Sequence, residues 1–355
     1  MRIGQNPAKF VESVPQPARV TVAIISYIPF LSGYYAQSLD VFKACLNSLW
    51  AHSDLPYDLL VFDNASCAEV RAWLSEQHEA GKIQYLVLSD RNLGKAAAWN
   101  FVFAAAPGEL IAYADADIYF EKGWLSALVK VLDAFPNAGM VTGIPMWSPA
   151  QFSTATVAWA EQTDGVMLER GKLLAWEDYW KHARSLGQEE TEARENFGKQ
   201  EDVRVTIRRF GDSTIQRFSE SASQQVGKPT NLQTSQRTNE PTNQQFFIGA
   251  GHFQFVTRKS VLQQVIPIPA EKPMGQVRRL DVAINERGYL RLSTPEWWVR
   301  HMGNVVPDWA REIAQTTVPP RGPVKGGTGR GWVRGPVRGF IQWVYHKAFD
   351  LLYKG

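Results

Sequence analysis

Leu110-Ile111-Ala112-Tyr113-Ala114-Asp115-Ala116-Asp117 decides the reading of this chain. Five apolar or aromatic residues without a charge fit a strand buried on both faces of a sheet. Two carboxylates then leave the strand end at alternate positions. Where a strand end bends, both can turn toward one ion, and hard oxygen ligands of this kind suit Mg²⁺ or Mn²⁺ bridging a diphosphate. Two acids so spaced are common in surface loops, so the meaning comes from the buried strand ahead of them.

Outward from this segment the same rhythm repeats between Arg19 and Gly143: a short β-branched run, a polar turn, then a stretch of helical period. Strands are expected at Val20–Ser26, Asp58–Phe62, Ile83–Leu88, Leu110–Ala114 and Met140–Thr142. Helices are expected at Ser38–His52, Ala68–Ala80, Lys95–Ala106 and Gly123–Ala134. Such alternation implies an α/β fold with a mostly parallel central sheet and helices on both faces. Ligands of these sheets bind beyond the carboxyl ends of the strands. The residues there are Tyr27, Asp63-Asn64-Ala65-Ser66, Asp90-Arg91-Asn92-Leu93-Gly94-Lys95 and Asp115-Ala116-Asp117.

Three motifs in this order, Asp63-Asn64-Ala65-Ser66, Asn92-Leu93-Gly94-Lys95 with the later Asn100, and Asp115-Ala116-Asp117, make residues 20 to 143 resemble the nucleotide-sugar-binding half of family two of the inverting GT-A glycosyltransferases. The resemblance implies the GT-A fold, a nucleotide-diphosphate sugar as donor (most commonly a UDP-sugar) and Mn²⁺ or Mg²⁺ as cofactor. It implies that Tyr27 stacks on the base and that Asp63 accepts its ring N–H. Asn92, Gly94, Lys95 and Asn100 would line the ribose and diphosphate, Asp115 would contact ribose or the metal, and Asp117 would hold the metal directly. Asp63 and Ser66 are also ordinary turn and N-cap residues, a reading that stands beside the functional one. The first strand departs from the family, since Tyr27-Ile28-Pro29 replaces its usual turn.

The second half resembles the family more loosely. Gly249-Ala250-Gly251-His252-Phe253 is similar to the Gly-rich strand bordering the acceptor, which puts Gly251 and His252 on the acceptor side with Trp297 and Trp298. Leu280-Asp281, ahead of Gly288-Tyr289, is similar to the segment carrying a Glu-Asp pair, with Leu280 in place of the Glu. Asp281 would be the base that deprotonates the acceptor hydroxyl, or else a helix N-cap. His301, before Met302-Gly303, is the third expected metal ligand.

The domain reading is an extension over 1–18, a nucleotide-sugar half over 19–147 and an acceptor half over 148–310. The acceptor half carries a polar insertion over about 185–245, where low apolar content predicts disorder. A basic Gly/Pro linker follows over 311–336, then an amphipathic helix over 337–355. Between Pro319 and Gly339 the chain has Arg321, Lys325, Arg330, Arg334 and Arg338 without an acid. A basic segment before an apolar helical face fits a membrane surface, or a helix docked on the protein's own core. A net charge of +3 gives no reason to expect nucleic acid as a partner, and two cysteines cannot build a disulfide framework. No leader and no span of apolar residues long enough to cross a bilayer is legible, so the expectation is a cytoplasmic protein, peripheral on the inner membrane face through its last helix, with a saccharide or lipid-linked acceptor. Two other classes share the sheet. A nucleotidyltransferase should carry a Gly-rich, basic loop after its first strand, where this chain has Tyr27-Ile28-Pro29-Phe30. A non-catalytic nucleotide-sugar binder would have no use for Asp281 and His301.

Overall fold

The apolar runs of the first half form strands whose alternate residues feed two separate cores. In the computed structural model, which describes residues 6–11, 13–208, 243–271, 277–316, 318, 343, 344 and 347, these strands are β1 (Val20–Ser26), β2 (Tyr57–Asn64), β3 (Tyr85–Ser89) and β4 (Leu110–Asp115). Val20, Val22 and Ile24 of β1, with Leu110, Ala112 and Ala114 of β4, enter one core; Ala23, Ile111 and Tyr113 enter the other. This is the period-two geometry of a sheet covered on both faces.

The first core is closed by α1 (Ser38–His52) and α4 (Trp124–Ala134), the second by α3 (Gly94–Ala105). A further helix, α2 (Ala68–Glu79), follows β2. The strand before Gly143 is β6 (Ala138–Thr142), and a three-residue strand, β5 (Ile118–Phe120), follows the acidic motif. Beyond it come α5 (Thr154–Gln162), β7 (Val166–Gly171), α6 (Trp176–Ser185), α7 (Glu190–Lys199) and β8 (Asp202–Arg208). Where the described residues resume the order is β9 (Asn243–Ile248), β10 (Gln254–Arg258), α8 (Lys259–Val265), α9 (Arg278–Glu286), β11 (Leu290–Ser293), β12 (Val299–His301) and α10 (Arg311–Gln315).

The main sheet has ten strands among the described residues, in the order β3-β2-β1-β4-β10-β6-β11-β9-β8-β7. Parallel pairing runs through β3-β2-β1-β4 and recurs at β6-β11. The late strand β10 enters antiparallel between β4 and β6, so both halves of the chain build one sheet. A separate antiparallel pair joins β12 to β5.

The polar stretch expected to lack structure over 185–245 is corrected at both ends. α7 and β8 precede it, and β9 begins inside it. Low hydrophobicity there reflects an edge: β7 and β8 continue the sheet by antiparallel pairing, which needs backbone partners more than a two-sided apolar core. Residues 209–242 lie outside the described residues. The expected linker is corrected at its start, where α10 carries Ile313 and Ala314 against the first core. The remainder of 319–342, and the amphipathic helix over 337–355 apart from Trp343, Val344 and Lys347, also lie outside the described residues. The chain divides into two units, Ala18–Pro320 and Met1–Pro17 with Arg321–Gly355. In the second unit Pro7–Phe10 makes a 3-10 turn, opened by Asn6, whose side chain accepts from the backbone N–H of Ala8. No described helix is long and apolar enough to cross a membrane.

Candidate functional site

The carboxyl ends of β1, β2 and β4 lie side by side, in register Ser26↔Asp63 and Ile25↔Asp115. Asp63 is fully buried. Its Oδ1 accepts from the Ser26 hydroxyl at 3.2 Å, and its Oδ2 accepts from the Ser66 N–H at 3.2 Å and from Arg71 Nε at 3.1 Å. A carboxylate can be this deep because a guanidinium and two neutral donors replace its water. Arg71, one turn into α2, also donates to the Ser89 carbonyl at the end of β3.

The loop between β3 and α3 is tied to β2 by an amide pair. Asn64 donates to Asn92 Oδ1 at 2.9 Å and accepts from the Leu93 N–H at 2.8 Å, while the Gly94 N–H donates to Asn92 Oδ1 at 2.8 Å. Gly94 sits at φ +75°, a left-handed conformation that costs a glycine little. Asn100 is a correction. Its side chain donates to the Ile268 carbonyl at 2.8 Å and accepts from the Ile268 N–H at 2.7 Å, so both ends fasten the segment after α8. Its position along α3 carries it away from the turn that holds Asn92 and Gly94. Tyr27 is half-exposed and meets Tyr35 edge to face, with ring centroids 6.3 Å apart.

The two aspartates of the acidic motif have different partners. Asp115 Oδ2 lies 2.6 Å from Lys95 Nζ, and Oδ1 accepts from the Tyr113 hydroxyl. Burial first, then the Asp115 charge, push the Tyr113 phenol well up, so it stays a donor. Asp117 Oδ2 lies 3.1 Å from His301 Nε2, and Asp117 Oδ1 is buried without a hydrogen-bond partner. The β5–β12 pair makes this meeting, with His301 opposite Ile118 and the Met302 N–H donating to the Asp117 carbonyl at 2.9 Å. Burial alone would raise Asp117, but His301 and Lys95 outweigh it and hold the carboxyl below the usual range. Burial would lower His301, yet Asp117 holds it above the ordinary imidazole value.

The expected metal triad is therefore corrected. Asp117 and His301 come together, whereas Asp115 is turned into the Lys95–Tyr113 pair; among the described residues no group of three His, Cys, Asp or Glu side chains forms a metal site. A cavity of about 490 Å³ opens beside His301, lined also by Lys181, His182, Arg184, Trp297 and Trp309. His182 is pushed down to about 3 by burial, then by His301 and His252. Trp298 is a correction as well. Trp297 lines the cavity beside His301, whereas Trp298 lies against Gly143 and lines a second cavity with Lys130 and Phe246.

Gly251 donates its N–H to Thr142 Oγ1 at 2.8 Å, and a Cβ there would meet the Phe253 ring at 2.4 Å. His252 is partly exposed. Asp281 lies within α9 rather than at its N-cap, 5% exposed, with Oδ1 2.8 Å from the buried Arg291 guanidinium. Arg71, Ser26, Asn64, Tyr113, His182 and Arg291 were not legible as site residues from sequence. Of these, Asn64 and Tyr113 stood inside quoted stretches and Ser26 ended an expected strand; Arg71, His182 and Arg291 are brought in by tertiary packing.

Residues 34–180, which include the β2, β3 and β4 ends, match the model of glycosyl transferase family 2. This stretch is similar to a glycosyl transferase family 2 domain. The ten-stranded sheet with helices packed on it agrees with the α/β fold expected from sequence. No curated protein matches it in sequence. Among solved structures it is similar to S. aureus TarS 1-349 in complex with UDP-GlcNAc, at 18% identity and TM-score 0.30, over 38% of this chain and 38% of that one. It is also similar to the mannosyltransferase PcManGT from Pyrobaculum calidifontis in complex with GDP-Man and Mn²⁺, at 25% identity and TM-score 0.28, over 38% of this chain and 39% of that one. The chain spans about two fifths of the length of these solved chains.

Proposed function

We propose that this chain is a glycosyltransferase, which binds a nucleotide-diphosphate sugar, a UDP-sugar before others, across the ends of β1, β2 and β4 and transfers the sugar with inversion to a saccharide or lipid-linked hydroxyl. The observation that carries the reading is the Asp117–His301 pair with its partnerless buried Oδ1, set beside the Lys95–Asp115 pair. A buried carboxylate oxygen without a donor is costly, and a cation relieves that cost. Asp117 and His301 fit Mn²⁺ or Mg²⁺ as two ligands, the rest of the shell falling to phosphate oxygens and water. When bound, such an ion supplies Lewis-acid stabilisation of the departing diphosphate. The chain's own residues do the remainder. Lys95 neutralises charge at the phosphates, the Asn64–Asn92–Gly94 lattice holds the ribose floor rigid, and Tyr27 offers its exposed face to the base. Asp63, enclosed by Ser26, Ser66 and Arg71, fixes the end of β2 and reads the base only if one of these donors yields.

The test is a thermal-shift panel of UDP- and GDP-sugars with and without Mn²⁺, since a ligand of the folded state raises the melting point. The expected result is a metal-dependent shift with one donor that vanishes in Asp117→Ala. Equal shifts with and without Mn²⁺, unaltered in Asp117→Ala, would overturn the metal reading. No shift and no release of nucleoside diphosphate with any donor would overturn the transferase reading.

A further inference from the structure

We propose that the cavity beside His301 is the acceptor subsite and that it selects an anionic saccharide, one carrying a carboxylate or a phosphate; this rests on the transferase reading above. The cavity measures about 490 Å³, inside the range of roughly 300–1,000 Å³ typical of small-molecule sites. Its walls come from α6, from the segment leading into β12 and from the chain just after β12. None of them comes from β1 to β4, whose ends carry the candidate donor residues, and all follow residue 180, where the match to the family model stops. The cavity is therefore a second subsite, made by parts of the chain outside the matched stretch. It also adjoins the candidate ion site: His301 lines it, and His301 Nε2 lies 3.1 Å from Asp117 Oδ2. A molecule held there is one imidazole away from the place assigned to the ion.

The lining is cationic. Lys181, Arg184 and Arg300 contribute to it, and among the described residues no Asp or Glu does. Lys181 pairs with Asp178 at 3.1 Å and Arg300 with Glu121 at 2.7 Å, but neither acid lines the cavity. Asp308, next to Trp309, is taken by Arg311 at 2.6 Å. Arg184 is exposed and has no ion pair among the described residues, so its charge is left uncompensated. A guanidinium presents paired donors that match two oxygens of a carboxylate or phosphate, and it keeps its charge at any ordinary pH.

The lining is also aromatic. Trp297 is held by its Nε1–H, which donates to Asp178 Oδ1 at 2.9 Å, and Lys181 Nζ lies 5.6 Å from its ring centroid. Trp309 has the Arg300 guanidinium 5.1 Å from its centroid. An indole face carries partial negative charge and suits the weakly positive C–H face of a sugar ring. A neutral sugar can use the indoles but not Arg184, and a free small anion can use Arg184 but not the indoles. A saccharide with an anionic group uses both.

The experiment measures dissociation constants for the full chain by ligand-observed NMR, without metal or nucleotide, for methyl glucuronide, glucose 6-phosphate, methyl glucoside and inorganic phosphate. The better of the two anionic sugars, which identifies the anion, should bind at least about 10-fold tighter than methyl glucoside or phosphate. Arg184→Gln should weaken it by about 10- to 100-fold while methyl glucoside stays within twofold and the melting point is unchanged. Trp309→Ala should weaken charged and neutral sugars alike, by about 2- to 10-fold. Saturating UDP with Mn²⁺ should displace neither. Absence of binding by both anionic sugars, equal affinity for phosphate and glucose 6-phosphate, tight binding that survives Arg184→Gln, or displacement by UDP each overturns the proposal and leaves the transferase standing. If the anionic sugars bind as expected but no donor of the thermal-shift panel does, the transferase reading fails and takes the acceptor role with it.

Discussion

Asp63 lies at the end of β2 without exposure, and Arg71 is its one charged partner among the described residues. Arg71→Ala should therefore cost about 3 kcal/mol, the low end for stranding one member of a buried pair because Arg71 is itself partly exposed. The double change with Asp63→Asn should recover part of that loss in urea unfolding. His182 gives a pH signature of opposite origin. Its folded value is pushed down from 6.5 to about 3, so between those values the unfolded chain binds the extra proton. Stability should fall as pH drops below about 6.5, by at most about 1.4 kcal/mol per unit for this one group. In His182→Phe that part of the slope should disappear. A urea midpoint that tracks pH identically in both proteins would count against the burial of a neutral imidazole.

At the scale of elements, α3 is both wall and floor. Its amino end carries Gly94 and Lys95 to the site, while Trp99 and Phe103 stack against each other and meet Tyr113 and Phe255 edge-on. Trp99→Ala should destabilise by about 3–5 kcal/mol and also loosen Lys95, which lies 5.3 Å from the Trp99 ring centroid. The expected readouts are a lower urea midpoint and weaker donor binding together. The extents of β1 and α1 were legible to the residue, because each strand or helix announces itself by local periodicity. β3 starts two residues later and ends one residue later than its apolar pattern suggested, running from Tyr85 to Ser89 on a sheet edge with no fully buried residue. The partners of Asp63, the turning of Asp115 into Lys95 and Tyr113, and the different cavities lined by Trp297 and Trp298 were not legible, since each depends on residues far apart in sequence. Asn100 misled for a related reason: a motif match fixes a position on a helix, not the surface that the helix turns toward the ligand.

The whole molecule is built out of chain order. β10 is made after residue 250 and yet lies between β4 and β6, and β12, later still, brings His301 to Asp117. A fragment ending at residue 180 would contain the whole stretch that matches the family and still lack the histidine of the candidate ion site. Such a fragment should show no Mn²⁺-dependent thermal shift with any donor that shifts the full chain. It should also sediment as aggregate, because β4 and β6 would each expose an unpaired edge. A soluble fragment with an unchanged shift would contradict the role assigned to His301.

The strand interleaving carries a consequence for synthesis. On a ribosome, the first half emerges with a gap in the middle of its sheet that only a later segment can fill, so the nascent protein must wait, partly open, for well over a hundred residues to be translated. Chaperone dependence in the cell, rather than any weakness of the finished protein, is where that architecture should make itself felt.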